Sequence, residues 1–335
     1  MLRTYKIFFI TILATIFFSL ANITFAAESA NELLARIERD TYGMSMEGAL
    51  LSRLNRIEKD YSGTNLQEDL NGRIEALRTI IYDNSTAPGI MAKVNAIEWN
   101  FNHEVQNDGI VKRLENLEEA ILGEVSDDTI INRVRELARA SFGRDDIPME
   151  EIQLPMNTVI KVALVNDVGT REGQIGDTVN IKVVEDVIID GNLVFARGLY
   201  GTGVITELTR ATDWGRNGKL VIDFHKIKCI DGNEINTTVG FESEELMTEK
   251  KMVAGASLIG LDIYDEWNKG MIFGKNIQVP ADTELYIQTK ELATVYALKS
   301  GRGSLSIDKS DSEFGDDFGD LDDDFKTDFF NTGNK

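Results

Sequence analysis

The chain has 335 residues, a formal charge of −21, 42% apolar residues and a single cysteine, Cys229. So acidic a balance excludes nucleic acid and anionic membrane surfaces as ligands, because both are held by basic patches. One cysteine excludes an intramolecular disulfide, so the fold rests on packed cores, and the length and apolar content suffice for two modest domains.

The first element is a leader. "MLRTYKIFFITILATIFFSLANITFA" places Arg3 and Lys6 ahead of an apolar run from Ile7 to Leu20, with a small-residue site at Thr24-Phe25-Ala26. That is the layout of a secretory signal peptide cleaved after Ala26. The alternative, an uncleaved anchor, needs about 20 predominantly apolar residues, and Asn22 and the shortness of the run argue for cleavage. No later stretch qualifies as a span, and Met252–Leu261 reads as a buried segment. The expectation is an exported protein of the periplasm or cell envelope, with no transmembrane segment after cleavage.

Next comes a tandem repeat of 20 residues. Leu34, Leu54, Ile74, Val94, Leu114 and Val134 are in phase. So are Ile37, Ile57, Leu77, Ile97, Leu117 and Leu137, and so are Leu50, Leu70, Ile90, Ile110 and Ile130. Within a copy, Leu50, Leu54, Ile57 and Tyr61 make one helical stripe. Breakers such as "DNSTAPG" and "HEVQNDG" separate the stripes. Each copy is therefore one short helix plus a turn. Helices so short are marginal alone, and short connections favour antiparallel neighbours, so a compact stack is expected. The alternative, a long hinged coiled coil, would need heptads running through the breakers. Arg53, Arg73, Lys93, Arg113 and Arg133 recur beside the stripe, with Glu58, Glu98 and Glu118 nearby, and read as solvated charges.

After Gly143 the period changes to two. "TVIKVALV" sets Ile160, Val162 and Leu164 on one face, and "DTVNIKVVEDV" does the same with Val179, Ile181 and Val183. "IIDGNLVF" is a hairpin turning at Asp190-Gly191. "KLVIDFHKIKCIDGNEI" alternates Leu220, Ile222 and Phe224 and turns at Asp231-Gly232, with Cys229 a small buried filler. Gly198, Gly201 and Gly203 lie in strand-rich sequence with no following Lys-Ser/Thr, so they are sheet bends and not a phosphate loop. "LPMNTVIKVAL" (Leu154–Leu164) and "VPADTELYIQT" (Val279–Thr289) resemble each other, as if first and last strands pair to close a barrel.

The order "LPMNTVI", "GDTVNIKVVEDVIIDGNLV", "RGLYGTGVI", "GKLVIDFHKIKCIDG" and "IQVPADTEL" resembles a widespread bacterial envelope β domain. It is also similar to the barrel of TrbI-type scaffold proteins of conjugation and type IV secretion machines. The resemblance covers about residues 152–290 and implies a small envelope β-barrel, with a place in a secretion or transfer machine as one role. Where that family has glycine two residues after each proline, this chain has Asn157 and Asp282, which tolerate left-handed backbone. Where the family has Pro-x-Gly before the central strand, it has Ala196-Arg197-Gly198.

Chemistry finds little footing. His103 falls in a turn and His225 in a strand, with no HExxH and no zinc spacing. With 56 acidic residues, a pair of carboxylates identifies nothing, although a carbohydrate-active envelope enzyme is the remaining enzymatic reading. No catalytic, cofactor-binding or metal residue is expected.

The last segment, from Asp308, is strongly acidic and reads as disordered. Phe314, Phe318, Leu321, Phe325 and Phe329 fall on one helical stripe inside it, so they are the candidate partner-binding residues. Asp320, Asp322 and Asp324 imitate a calcium loop, but Phe325 stands where the loop needs glycine, which excludes an EF-hand.

The sequence thus predicts a multi-domain α and β chain. A signal peptide (1–26) precedes an all-α helical repeat stack (27–143) and a linker (144–152). An all-β small barrel or sandwich (153–299) and a disordered acidic tail (300–335) complete the chain. The expected role is that of a non-enzymatic envelope scaffold or docking module. Its expected partners are other envelope proteins reached through the tail, with oligomerisation through the helical repeats.

Overall fold

A computed structural model describes residues 29–212, 216–249 and 275–300. The leader, Met252–Leu261 and the acidic tail with its phenylalanines lie outside the described residues.

Six helices match the repeat: α1 (Ala30–Tyr42), α2 (Leu50–Ser62), α3 (Leu70–Tyr82), α4 (Ile90–Asn102), α5 (Ile110–Ile121) and α6 (Ile130–Phe142). Local chemistry sets their ends. Ser29 and Glu32 form a capping box, and Asp69 and Thr129 each accept the N–H three residues on. Gly43, Gly63 and Gly143 end α1, α2 and α6 in the left-handed conformation. The in-phase apolar positions form the core, with Leu34, Ile37, Leu54, Ile57, Leu114 and Leu137 fully buried. The helices form a compact stack in which α1 also meets α3 and α5, and α6 meets α2 and α4.

Among the described residues twelve strands come after them: β1 (Met149–Leu154), β2 (Val159–Leu164), β3 (Val168–Gly169), β4 (Thr178–Val183), β5 (Val187–Ile189), β6 (Asn192–Phe195), β7 (Tyr200–Thr209), β8 (Lys219–Lys228), β9 (Glu234–Thr238), β10 (Gln278–Val279), β11 (Glu284–Thr289) and β12 (Ala293–Lys299). Six of them close a barrel in the order β11-β2-β4-β7-β8-β9. The two resembling stretches do meet: β2 and β11 pair antiparallel, with Ile160 opposite Ile287 and Val162 opposite Leu285. Asn157 and Asp282 precede these strands at φ 64° and 59°, the left-handed backbone that glycine would supply. Asp190 (φ 49°) and Gly191 (φ 79°) make the two-residue turn between β5 and β6.

Two features of this half are not apparent in the sequence. A second sheet, β1-β12-β6-β5, stands beside the barrel, and its strand β1 begins at Met149, inside the segment expected to be a linker. A short helix, α7 (Phe241–Glu249), interrupts the β region and lies against β11. All four residues of β6 are buried, so this central strand of the second sheet is covered on both faces. One hydrophobic core runs without a break from the helices into the β half.

Candidate functional site: a buried ion-pair ladder and the junction where it stops

Phe314, Phe318, Leu321, Phe325 and Phe329 lie outside the described residues, so the site is built from other groups. The first is a correction. The recurring charges beside the stripe are not solvated; they form a ladder of buried pairs. Arg53 reaches Glu38 at 2.6 Å, Arg73 reaches Glu58 at 2.5 Å, Arg113 reaches Glu98 at 2.6 Å and Arg133 reaches Glu118 at 2.8 Å. Each pair ties one helix to the preceding one. Every carboxylate also accepts the backbone N–H eight residues on, at Met46, Leu66, Gln106 and Ser126, and so pins the connecting loop. Glu38 and Glu58 hold the guanidinium protons of Arg53 and Arg73 more firmly than water would. The reason the sequence misled is geometric. Spacing along one helix separates these residues, and only the packing of the next helix against the first brings them together.

The ladder ends cleanly. Leu33 occupies the cation position in the first copy and Ala138 the acid position in the last, so neither end leaves a charge unpaired. It breaks once inside. Arg78 stands where the acid belongs and turns outward to Glu75 at 2.7 Å. Lys93 stands in the arginine position, half-buried, and loss of water, followed by Arg135, lowers its pKa.

At that break the helices meet the β half. Asn84 takes over the missing carboxylate's work: its Oδ1 accepts the Gly89 N–H at 2.9 Å, while its Nδ2 donates to the Asp231 carbonyl at 3.0 Å. Asn95 donates to the Ile230 carbonyl at 3.0 Å and accepts from Arg113 at 2.7 Å. Trp99 Nε1 donates to Asp186 at 3.0 Å, and the other Asp186 oxygen accepts the Arg197 N–H at 2.7 Å. The Val105 N–H donates to the Arg197 carbonyl at 2.8 Å. Gly198, at φ 89°, lies so close that a Cβ there would overlap the Val105 oxygen. Helix α4 is consequently buried on nearly all sides, from Ile90 to Trp99. The signal that could have revealed this junction was the exception itself: Arg78 and Lys93 interrupting an otherwise regular charge pattern.

Asp231 sits under the junction, nearly fully buried. It accepts N–H bonds from Asn233 at 2.9 Å and Tyr296 at 2.9 Å, and the loss of water still raises its pKa against those bonds. Cys229 beside it is fully buried, and burial pushes its thiol up.

A cleft of about 680 Å³ lies between the β3–β10 ribbon and the start of β4. Two of its carboxylates hold turns: Asp167 accepts the Ala281 N–H at 2.7 Å and Asp177 the Gln174 N–H at 2.8 Å. His103 is the left-handed cap of α4 and lies edge-on to Trp99. His225, half-exposed on β8, lies 3.1 Å from Asp223. Among the described residues, no three His, Cys, Asp or Glu side chains converge to hold a metal ion. No helix among them is long and apolar enough to cross a membrane.

No protein-family model matches the chain, and no curated protein matches it. Among solved structures the chain is similar to ComB10 of the Com type IV secretion system of Helicobacter pylori, with 12% identity and a TM-score of 0.25, over 43% of this chain and 89% of that one.

Proposed function

We propose that the protein is an exported, non-enzymatic scaffold or docking module of the bacterial cell envelope. The observation that supports this reading most is the use made of buried polar groups. The ladder residues, Asn84, Asn95, Trp99 and Asp186 are engaged in holding helix to helix or helix to the β half, and the Asp231 carboxylate holds its turn to β12. Groups used this way fix the shape of a body, as a scaffold requires. The tail phenylalanines remain the proposed partner contacts.

Two measurements on the full chain in a bacterial host test the reading. Fractionation and N-terminal sequencing should find a mature chain starting at Ala27 in the periplasm or envelope; a cytoplasmic chain starting at Met1 would overturn export. Crosslinking in cells should capture the same envelope proteins repeatedly. It should lose them when Phe314, Phe318, Phe325 and Phe329 are replaced by Ser.

A second reading, a component of a secretion or conjugative-transfer machine, is favoured by one observation. The closed six-stranded barrel occupies the region of the TrbI-type sequence resemblance. A ring assembly of the purified protein under the electron microscope would support it, and a monomer at every concentration would count against it.

A further inference from the structure

The second sheet has an edge that matches the chain leaving it. Among the described residues, β5 has a neighbour, β6, on one side only. In a two-residue hairpin the closing pair, here Ile189 and Asn192, bond each other, so the N–H and C=O of Ile188 point away from β6. Val187, Ile188 and Ile189 are each half-buried, which makes this an apolar edge of the kind that accepts another strand.

The last described residues lead to that edge. Both β12 and β5 run antiparallel to β6, so both end beside the Asp190-Gly191 turn. Ser300 leans onto this turn, its N–H donating to the Gly191 carbonyl at 3.1 Å and its hydroxyl to the same oxygen at 2.9 Å. From β12, the position beyond β5 is three strand spacings away, about 14 Å. The five steps from Ser300 to Leu305 reach up to about 17 Å. Gly301 and Gly303 allow the chain to swing round the turn. The next four residues, Ser304-Leu305-Ser306-Ile307, alternate polar and apolar immediately before the acidic run that begins at Asp308.

We propose that the open edge of β5 is the docking site of this chain's own Ser304–Ile307, added antiparallel as a fifth strand of the second sheet. The acidic tail then starts from a fixed point beside the β5–β6 hairpin.

Hydrogen exchange on the full mature chain tests this at the Ile188 amide. Leu305→Pro and Ile307→Pro each remove an N–H and disfavour pairing. At least one of them should speed exchange at Ile188 tenfold or more, while Asp322→Pro leaves it unchanged. Unchanged exchange in both tail variants would overturn the proposal. A second measurement replaces Cys229 by Ala and pairs Ile188→Cys with a cysteine at each of positions 304 to 307. Oxidation should give a disulfide within one chain at alternate positions only. Equal crosslinking at all four positions, or crosslinks only between chains, would overturn it, the latter assigning the edge to a second copy.

Discussion

Arg113 is fixed at four points: two bonds to Glu98, one to Asn95 at 2.7 Å and a weaker one to the Met91 sulfur at 3.9 Å. Removing one member of such a buried pair strands the other charge and costs about 3–5 kcal/mol. Arg113→Met should therefore lower stability by that amount in a urea melt. Adding Glu98→Gln should return part of the loss, because glutamine still accepts the Gln106 N–H without a charge. Melting curves of Arg113→Met identical to wild type would mean the pair contributes nothing. Asp231 supplies a pH signature. Its folded pKa is raised, so the folded state binds this proton more tightly than the unfolded chain does. Its contribution is thus fully present below the ordinary carboxylate range and is lost as pH rises through the raised value. The stability of wild type relative to Asp231→Asn should fall with rising pH across that window. A constant difference would show that Asp231 ionises as freely in the folded protein as in the unfolded chain.

Among the elements, α4 departs furthest from its siblings. Its copies α2 and α6 keep one polar face, whereas α4 is packed both by helices and by the turn at Ile230–Gly232, and the loop that follows it is held by Arg197–Gly198. Gly198→Ala should open this contact. The new methyl would collide with the Val105 oxygen, on backbone at φ 89° that alanine resists. A loss of about 2 kcal/mol or more is expected, read as a lower melting temperature; an unchanged one would mean the Val105 loop yields freely. The repeat stripe has its own test. Leu54 is fully buried, so Leu54→Asp places an unpaired charge in the helical core, at a cost of several kcal/mol by thermal melt. Wild-type stability in that variant would mean the core can admit water.

At the scale of the whole molecule, the continuous core and the hydrogen bonds of Asn84, Asn95 and Trp99 make the helices and the β half one body. A protease site inserted between Arg144 and Ile147 should yield two fragments that still elute together under native conditions and part only in denaturant. Fragments that separate without denaturant would show that the covalent link alone holds the halves. The proposed export and envelope role belong to this scale too, since a scaffold acts through the fixed placing of its surfaces.

The sequence by itself determined what depends on local periodicity. The repeat length, the helical stripe, the breaks between helices, the barrel strands and the hairpin at Asp190-Gly191 all come from spacing and from residues such as glycine and proline at set offsets. Tertiary structure alone decided what depends on residues far apart meeting. Arg73 and Glu58 look like surface charges until α3 folds back on α2. Met149 looks like linker until β12 supplies its partner strand. Trp99 and Asp186 have no relation along the chain, and Gly198 reads as a sheet bend until the Val105 loop arrives against it. Pairing energy arises only where two segments are brought into contact, and a one-dimensional pattern carries no record of which segments those are.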